Sequence, residues 1–285
     1  MLRRLAAIEC RHGLVRSSGR RFVFDHHEVQ QALYDGQFAP LREQYHLALA
    51  RVAEEREEAT AAERTDSSAT PHGGDREQPG VVAAFVAEHF LRGGDGERAR
   101  RHLGPAMRHL EGTYANDAAV RLARLALDCP GLLTGLDRAE ILTLEARCLA
   151  IQGRSEEEES PLREQFQLAE ESRDSKARAN AHALLGDLEL RRSRLDEAYP
   201  LLVEADRLGA EVGDLTVRYF SQIDLGLLFL RQGRLAEAKA ACENGLTLAV
   251  QTGNGRNEAT ASGHLGMVLG SQGRHEEART CFERS

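Results

Sequence analysis

The sequence has no tryptophan, and lysine is nearly missing: Lys176 and Lys239 stand against 35 arginines. That bias reads as the base composition of a GC-rich gene, and no chemistry is drawn from it. Cysteine is sparse and scattered. Cys10, Cys129, Cys148, Cys242 and Cys281 form no C-x-x-C pair, and an odd count leaves one thiol over in any disulfide scheme. They are expected to be small buried hydrophobes in a reducing cytosol, and neither a disulfide framework nor a metal site. No apolar run approaches the roughly 18 residues of a membrane span. The opening MLRRLAAIECRHGLV has a basic end but no apolar core of signal-peptide length. A cytoplasmic location without membrane contact follows as the expectation. The phrases G-x-x-x-x-G-K-[ST], H-R-D, D-F-G and G-x-S-x-G are all missing, which leaves no phosphate cradle, kinase loop or nucleophile elbow.

What is present is uneven charge and a strong period. The net charge is −8, yet residues 1–53 carry +3 and residues 140–285 carry −7. An acidic second half does not suit a phosphate backbone, whereas the basic start leaves that question open for the first segment. Gly186, Gly226 and Gly266 are spaced by 40, each preceded by leucine (Leu185, Leu225, Leu265) and followed twelve residues later by alanine (Ala198, Ala238, Ala278). Between them lie turns at Ser193-Arg194, Gly233-Arg234 and Gly273-Arg274. A second set of turns recurs at Arg173-Asp174, Gly213-Asp214 and Gly253-Asn254. One period earlier Ala146 takes the glycine place, Gly153-Arg154 the turn and Glu158 the alanine place, so that unit is degenerate. Each period therefore reads as helix, tight turn, helix, loop. A glycine inside a helix costs about 1 kcal/mol against alanine. Its threefold return at one place implies that two helices cross closely there.

These residues resemble the tetratricopeptide repeat. The L-G pair, the later alanine and the position after it match Leu185-Gly186, Ala198 and Leu202, or Leu265-Gly266, Ala278 and Phe282. The chain departs from that pattern in having no tryptophan, no closing proline and a period of 40, which implies longer helices. The resemblance is strong over 179–285, fair over 139–178 and weaker over 80–128, where Gly94-Asp95, Ala99 and Leu103 keep part of it. The expected fold is all-α: a tetratricopeptide-like helical-hairpin superhelix of period 40, preceded by a small winged-helix-like segment.

That first segment, 1–53, is expected to hold a helix over 2–10, a hairpin of Leu14-Val15 against Phe22-Val23-Phe24 with Ser17-Ser18-Gly19 turning, and helices over 26–35 and 41–58. The phrase FDHHEVQQALYD, then LREQYHLALA, resembles a stretch of large bacterial signalling ATPases of the AAA or STAND kind. In these a nucleotide-binding domain precedes a winged helix, a helical array and tetratricopeptide-like repeats. The matching positions are Phe24, His26, Val29, Ala32, Tyr34, Arg42, His46 and Ala50, and HFLRGGDGERARRHL at 89–103 resembles the array. Such proteins occur fused to serine/threonine kinases, nucleotide cyclases or helix-turn-helix regulators. Residues 54–79, polar and punctuated by Gly and Pro, are expected to be a disordered linker. A helical array is expected over 80–134 and repeats over 135–285. Ser285 falls inside the second helix of a repeat, so the last repeat is expected to be truncated and the chain a piece of something larger, or a truncated gene product.

No enzymatic constellation emerges, and no metal or cofactor is expected. His26 and His27 are neighbours on a helix start and point about 100° apart, which suits packing or capping better than a shared metal. His102 and His109 are too distant along a helix for one ion. The run Glu156–Glu159 reads as solvated surface. Arg16, Arg20 and Arg21 are the candidate nucleic-acid contacts, on a wing that could lie on phosphate. The competing reading, favoured here, docks this winged helix on an upstream ATPase domain. A partner-binding groove is expected along the first helix of each repeat, from Arg147, Asn180, Asp187, Phe220, Ile223, Leu227 and Met267. Its centre is apolar, as an amphipathic helix or an extended apolar peptide would need. Phe220 and Ile223 could equally be core between neighbouring repeats. The expected function is a non-catalytic protein–protein interaction scaffold within a bacterial signalling or transcription-regulating ATPase. The alternatives are a DNA-binding regulator, or a piece of a parent kinase or cyclase.

Overall fold

The computed structural model describes residues 15–18, 21–24, 34–66 and 79–285. Two strands come first, β1 (Val15–Ser18) and β2 (Arg21–Phe24), paired antiparallel with Val15 opposite Phe24 and Ser18 opposite Arg21. The hairpin is the expected one, but the strand runs on through Ser17 and Ser18, which had been expected to turn. The helices expected over 2–10 and through 26–33 lie outside the described residues, as do Leu14 and Cys10. Every other described element is an α-helix.

The chain divides into two compact units, Met1–His109 and Leu110–Ser285, so the division falls within the segment expected to form one array. In the first unit α1 (Ala39–Asp66) packs against α2 (Pro79–Arg92), with α3 (Gly96–Gly112) following. Its core gathers Ala50, Val86, Phe90 and Ala99. The expected linker is corrected here: 54–66 continues α1, and only 67–78 lie outside the described residues. The stretch EEREEATAAERTD lacks apolar groups but is built of Ala, Glu and Arg, which are strong helix formers. A polar line joins α1 to α2: Tyr34 Oη lies 2.7 Å from His46 Nε2, and His46 Nδ1 lies 2.6 Å from His89 Nδ1. Burial holds both histidines below their ordinary 6.5.

The second unit holds α4 (Asn116–Leu127), then four hairpins: α5 (Gly135–Ile151) with α6 (Ser155–Ser172), α7 (Ser175–Arg191) with α8 (Leu195–Val212), α9 (Leu215–Arg231) with α10 (Leu235–Thr252), and α11 (Gly255–Ser271) with the short α12 (His275–Phe282). These are tetratricopeptide-like helical hairpins. The recurring loop residues cap the first helices. The side chains of Asp174, Asp214 and Asn254 each accept from two backbone N–H groups of the turn that follows, at 2.9–3.4 Å. A cap of this kind contributes about 1 kcal/mol. The tight turns are left-handed at Gly153, Gly233 and Gly273, and Ser193 adopts the same conformation at φ 61.

The repeated glycine faces the residue sixteen positions later on the second helix. A Cβ on Gly186 would sit 2.7 Å from Leu202 Cδ2; on Gly226, 2.6 Å from Cys242 Sγ; on Gly266, 2.9 Å from Phe282 Cε1. In the degenerate hairpin Ala146 meets Leu162 in the same core cluster. The alanines Ala198, Ala238 and Ala278 are buried beside these contacts.

The alanine place of the degenerate hairpin is Glu158, and it is 3% exposed. Arg191 makes this possible by reaching from α7 with two bonds, at 2.5 and 3.0 Å. The neighbouring acids are paired as well. Arg154 and Arg124 hold Glu157 down at about 2, and Arg192 and Arg163 do the same for Glu159. Of the run expected to be solvated surface, Glu156 and Glu157 are exposed, whereas Glu158 is buried and Glu159 half-buried, paired to Arg191 and Arg192 at the end of α7. Those two were misread because the arginines lie 33 residues on in sequence.

Gly226→Ala is expected to lose about 1–2 kcal/mol by overpacking. In a Cys242→Ala background the same change should become neutral or stabilising, because the steric conflict is gone and the helix preference remains. Denaturant melts of the four proteins of this cycle check it. Additive losses would show that the close approach does not decide the packing.

Candidate functional site

The first helices α7, α9 and α11 bury their Leu-Gly side, and α5 its Glu145-Ala146, against the second helices and turn another side outward. α9 touches α7 and α11 directly. Equivalent positions on this face carry Glu140, Asn180, Phe220 and Thr260 in one row, and Arg147, Asp187, Leu227 and Met267 in another. Phe220 is 50% exposed and Met267 41% exposed. The Phe220 ring meets Tyr219 edge to face at 4.9 Å. Asn180 and Asp187 are half-buried, and Asp187 accepts from Arg191 Nε at 3.0 Å. Arg147 is exposed and ion-paired to Glu111 at 2.5 Å. Leu227 is half-buried against the cluster of Leu190, Leu202, Leu225 and Leu228.

Ile223 is corrected. It is 4% exposed and belongs to the core, in a cluster with Tyr219, Leu248 and Ala261. Its side chain fills the space left by Gly245, where a Cβ would come within 2.7 Å of its Cδ1. One helical position separates it from the face. Phe220 is on the open side, so only one of the two residues with an open reading is core.

Asp224, next to Ile223, is the residue that sequence reading missed. It stands on α9 near Asp187 and Arg191 of α7. Among the described residues it makes no hydrogen bond or ion pair. Arg191 is already engaged by two carboxylates, Glu158 at 2.5 Å and Asp187 at 3.0 Å. Burial pushes the Asp224 carboxyl well above the usual carboxylate range, and the Asp187 charge pushes it further while Arg191 opposes. The sequence did hold a signal: Asp224 is the lone charge inside the apolar run of α9.

At the equivalent place on α11 is His264, whose Nδ1 is buried without a hydrogen bond and whose pKa is lowered by burial. It borders an apolar depression of 390 Å³ with Gly263, Met267 and Phe282. A second cleft, of 380 Å³, lies at Arg124, Arg138, Glu145 and Glu164, where the charges satisfy one another. Among the described residues no group of His, Cys, Asp and Glu is placed to hold a metal. No helix among them is long and apolar enough to cross a membrane. Of the candidate nucleic-acid contacts, Arg20 lies outside the described residues, and Arg16 and Arg21 are described only as strand backbone.

Residues 219–285 match the family model of the tetratricopeptide repeat. No curated protein matches the chain. Among solved structures, the chain is similar to a Rap protein complexed with competence and sporulation factor, at 9% identity and TM-score 0.59, over 86% of this chain and 74% of that one. It is also similar to BtubC (BKLC) from P. vanneervenii, at 15% identity and TM-score 0.51, over 85% and 89%. The apo form of RapI is similar at 11% identity and TM-score 0.51, over 90% and 64%. At such identities the likeness is one of fold.

Asp224→Asn is expected to stabilise the protein. It removes a carboxylate that burial and Asp187 disfavour, and it keeps the shape. A gain of about 2–4 °C in melting temperature corresponds to about 1 kcal/mol in a unit of this size. The sign with pH is fixed. A raised folded pKa means that the charge destabilises only above the unfolded value of about 3.9. The gap between mutant and wild type should therefore be widest at pH 8 and close towards pH 4. Calorimetric scans across that range test it, and a lower melting temperature for the mutant at pH 8 contradicts it.

Proposed function

We propose that this chain is a non-catalytic interaction module of a bacterial signalling or transcription-regulating ATPase, acting in the cytoplasm. Its repeats take up a protein or peptide partner on the first-helix face around Asn180, Asp187, Phe220, Leu227 and Met267, with Arg147 at the edge. The observation that carries this reading is the exposure of Phe220 and Met267 on the first-helix face, with Leu227 half-buried between that face and the hairpin core. Large apolar side chains kept at the surface in one patch mark interaction sites. The Rap protein of comparable fold is seen with a bound factor, which supports the reading by analogy of fold.

The ATPase context rests on the resemblance of residues 24–50 and 89–103 to such proteins. The hairpin β1–β2 suits the wing of the winged helix that the resemblance implies. In this mechanism partner capture by the repeats biases the winged helix against an upstream ATPase domain, and the latter is the second partner.

The full chain, used as bait in a lysate of its own cells, is expected to capture a discrete partner. A Phe220→Glu/Met267→Glu variant with unchanged helicity should lose it at least about tenfold, since both side chains are exposed and their change spares the core. Equal capture by the two proteins, or none by either, would reject this face as the binding surface.

A further inference from the structure

The first-helix face has an electrostatic gap at its centre. Two carboxylates, Glu158 and Asp187, hold one guanidinium, Arg191, and a third, Asp224, stands on the neighbouring α9 without a bond to it. Arg191 bonds to Glu158 twice and to Asp187 once, so nothing within the fold neutralises Asp224. α9 itself carries two cations: Arg218, nearly two turns before Asp224, pairs with Asp206 at 3.2 Å, and Arg231, two turns further on, about 10 Å along the axis, donates to the Leu190 carbonyl at 2.5 Å. A half-buried carboxylate without a partner is costly, and folded proteins pair such groups. Apolar surface flanks the gap on both sides: Phe220, one turn before Asp224, and Leu227 and Met267 beyond it.

We propose that the partner segment taken up on this face carries an arginine side chain, which enters between Asp224 and Asp187 with its stem against Phe220, while neighbouring apolar residues of the segment cover Leu227 and Met267. This rests on the reading of the first-helix face as the partner surface and adds the chemistry of what it accepts. Charge complementarity selects the cation. A planar guanidinium can bond two carboxylates at once and stack on an aromatic ring, which an ammonium does less well. The hairpin cores do not need Asp224, since the other first helices have Leu144, Leu184 and His264 in its place. A carboxylate placed at a cost to stability is what a binding group shows.

The test pans a displayed library of random twelve-residue peptides on the immobilised full chain, beside Asp224→Asn and Phe220→Glu/Met267→Glu variants whose helicity and melting are checked first. Wild type should enrich peptides bearing arginine next to apolar residues. The best of these, made synthetically and labelled for anisotropy, should bind Asp224→Asn at least about tenfold more weakly, and its Arg→Lys version more weakly than itself. Enriched peptides that lack a cation but depend on Phe220 and Met267 overturn the arginine assignment and leave the face standing. Unchanged affinity for Asp224→Asn overturns the assignment too. No enrichment, or enrichment indifferent to Phe220 and Met267, overturns the reading of the face itself. Enrichment only of peptides copied from the chain's own sequence replaces an external partner by self-association.

Discussion

The distance between the two helices of each hairpin governs the rest of the repeat unit. It is set where Gly226 meets Cys242, Gly186 meets Leu202 and Gly266 meets Phe282. At each crossing there is no room for a methyl group without movement of a packed neighbour. Glycine weakens its own helix by about 1 kcal/mol, and the recovered dispersion and burial across the crossing offset that loss. Because the crossing places the Leu-Gly side of every first helix inward, another side of the same helix is left outward. The binding face is therefore a consequence of the packing rule that builds the hairpin.

Charge does two different jobs on the same helices. In the degenerate hairpin, Glu158 takes a place that alanine holds elsewhere, and Arg191 makes it tolerable with a bidentate bond from the next repeat. Glu189, also buried, is matched by Arg163 and Arg194 at 3.0 and 3.1 Å. Buried pairs of this kind add little net stability once desolvation is counted, but losing one partner would leave a charge stranded. Asp224, half-buried on α9, has no such partner among the described residues. A residue that breaks the rule its neighbours obey, without compensation inside the fold, points outward to something that completes it.

The first unit follows other physics. α1 runs from Ala39 to Asp66, and its central residues Leu47, Ala50 and Ala53 join the core. Helix propensity accounts for the polar remainder. The Tyr34–His46–His89 line gives this pair of helices a polar contact instead of further apolar area.

Spacing alone revealed the hairpins of 139–285, because glycine, alanine and turn residues recur at 40 and each has one packing reason. The turns at Asp174, Asp214 and Asn254 were legible for the same cause, while their capping of the next helices came from the structure. Side-chain direction was legible only to within one helical position, so Phe220, Leu227 and Met267 were placed on the face while Ile223 was placed there wrongly. The ion pairs of Glu158 and Glu159 with Arg191 and Arg192 were not legible, since these arginines arrive from 33 residues away. The sequence by itself determined that the second half is a stack of helical hairpins, because Leu-Gly, alanine and turn residues return at fixed helical places every 40 residues. Only the tertiary structure decided which carboxylates are neutralised and which one, Asp224, is left open, because that depends on where arginines from other helices arrive in space.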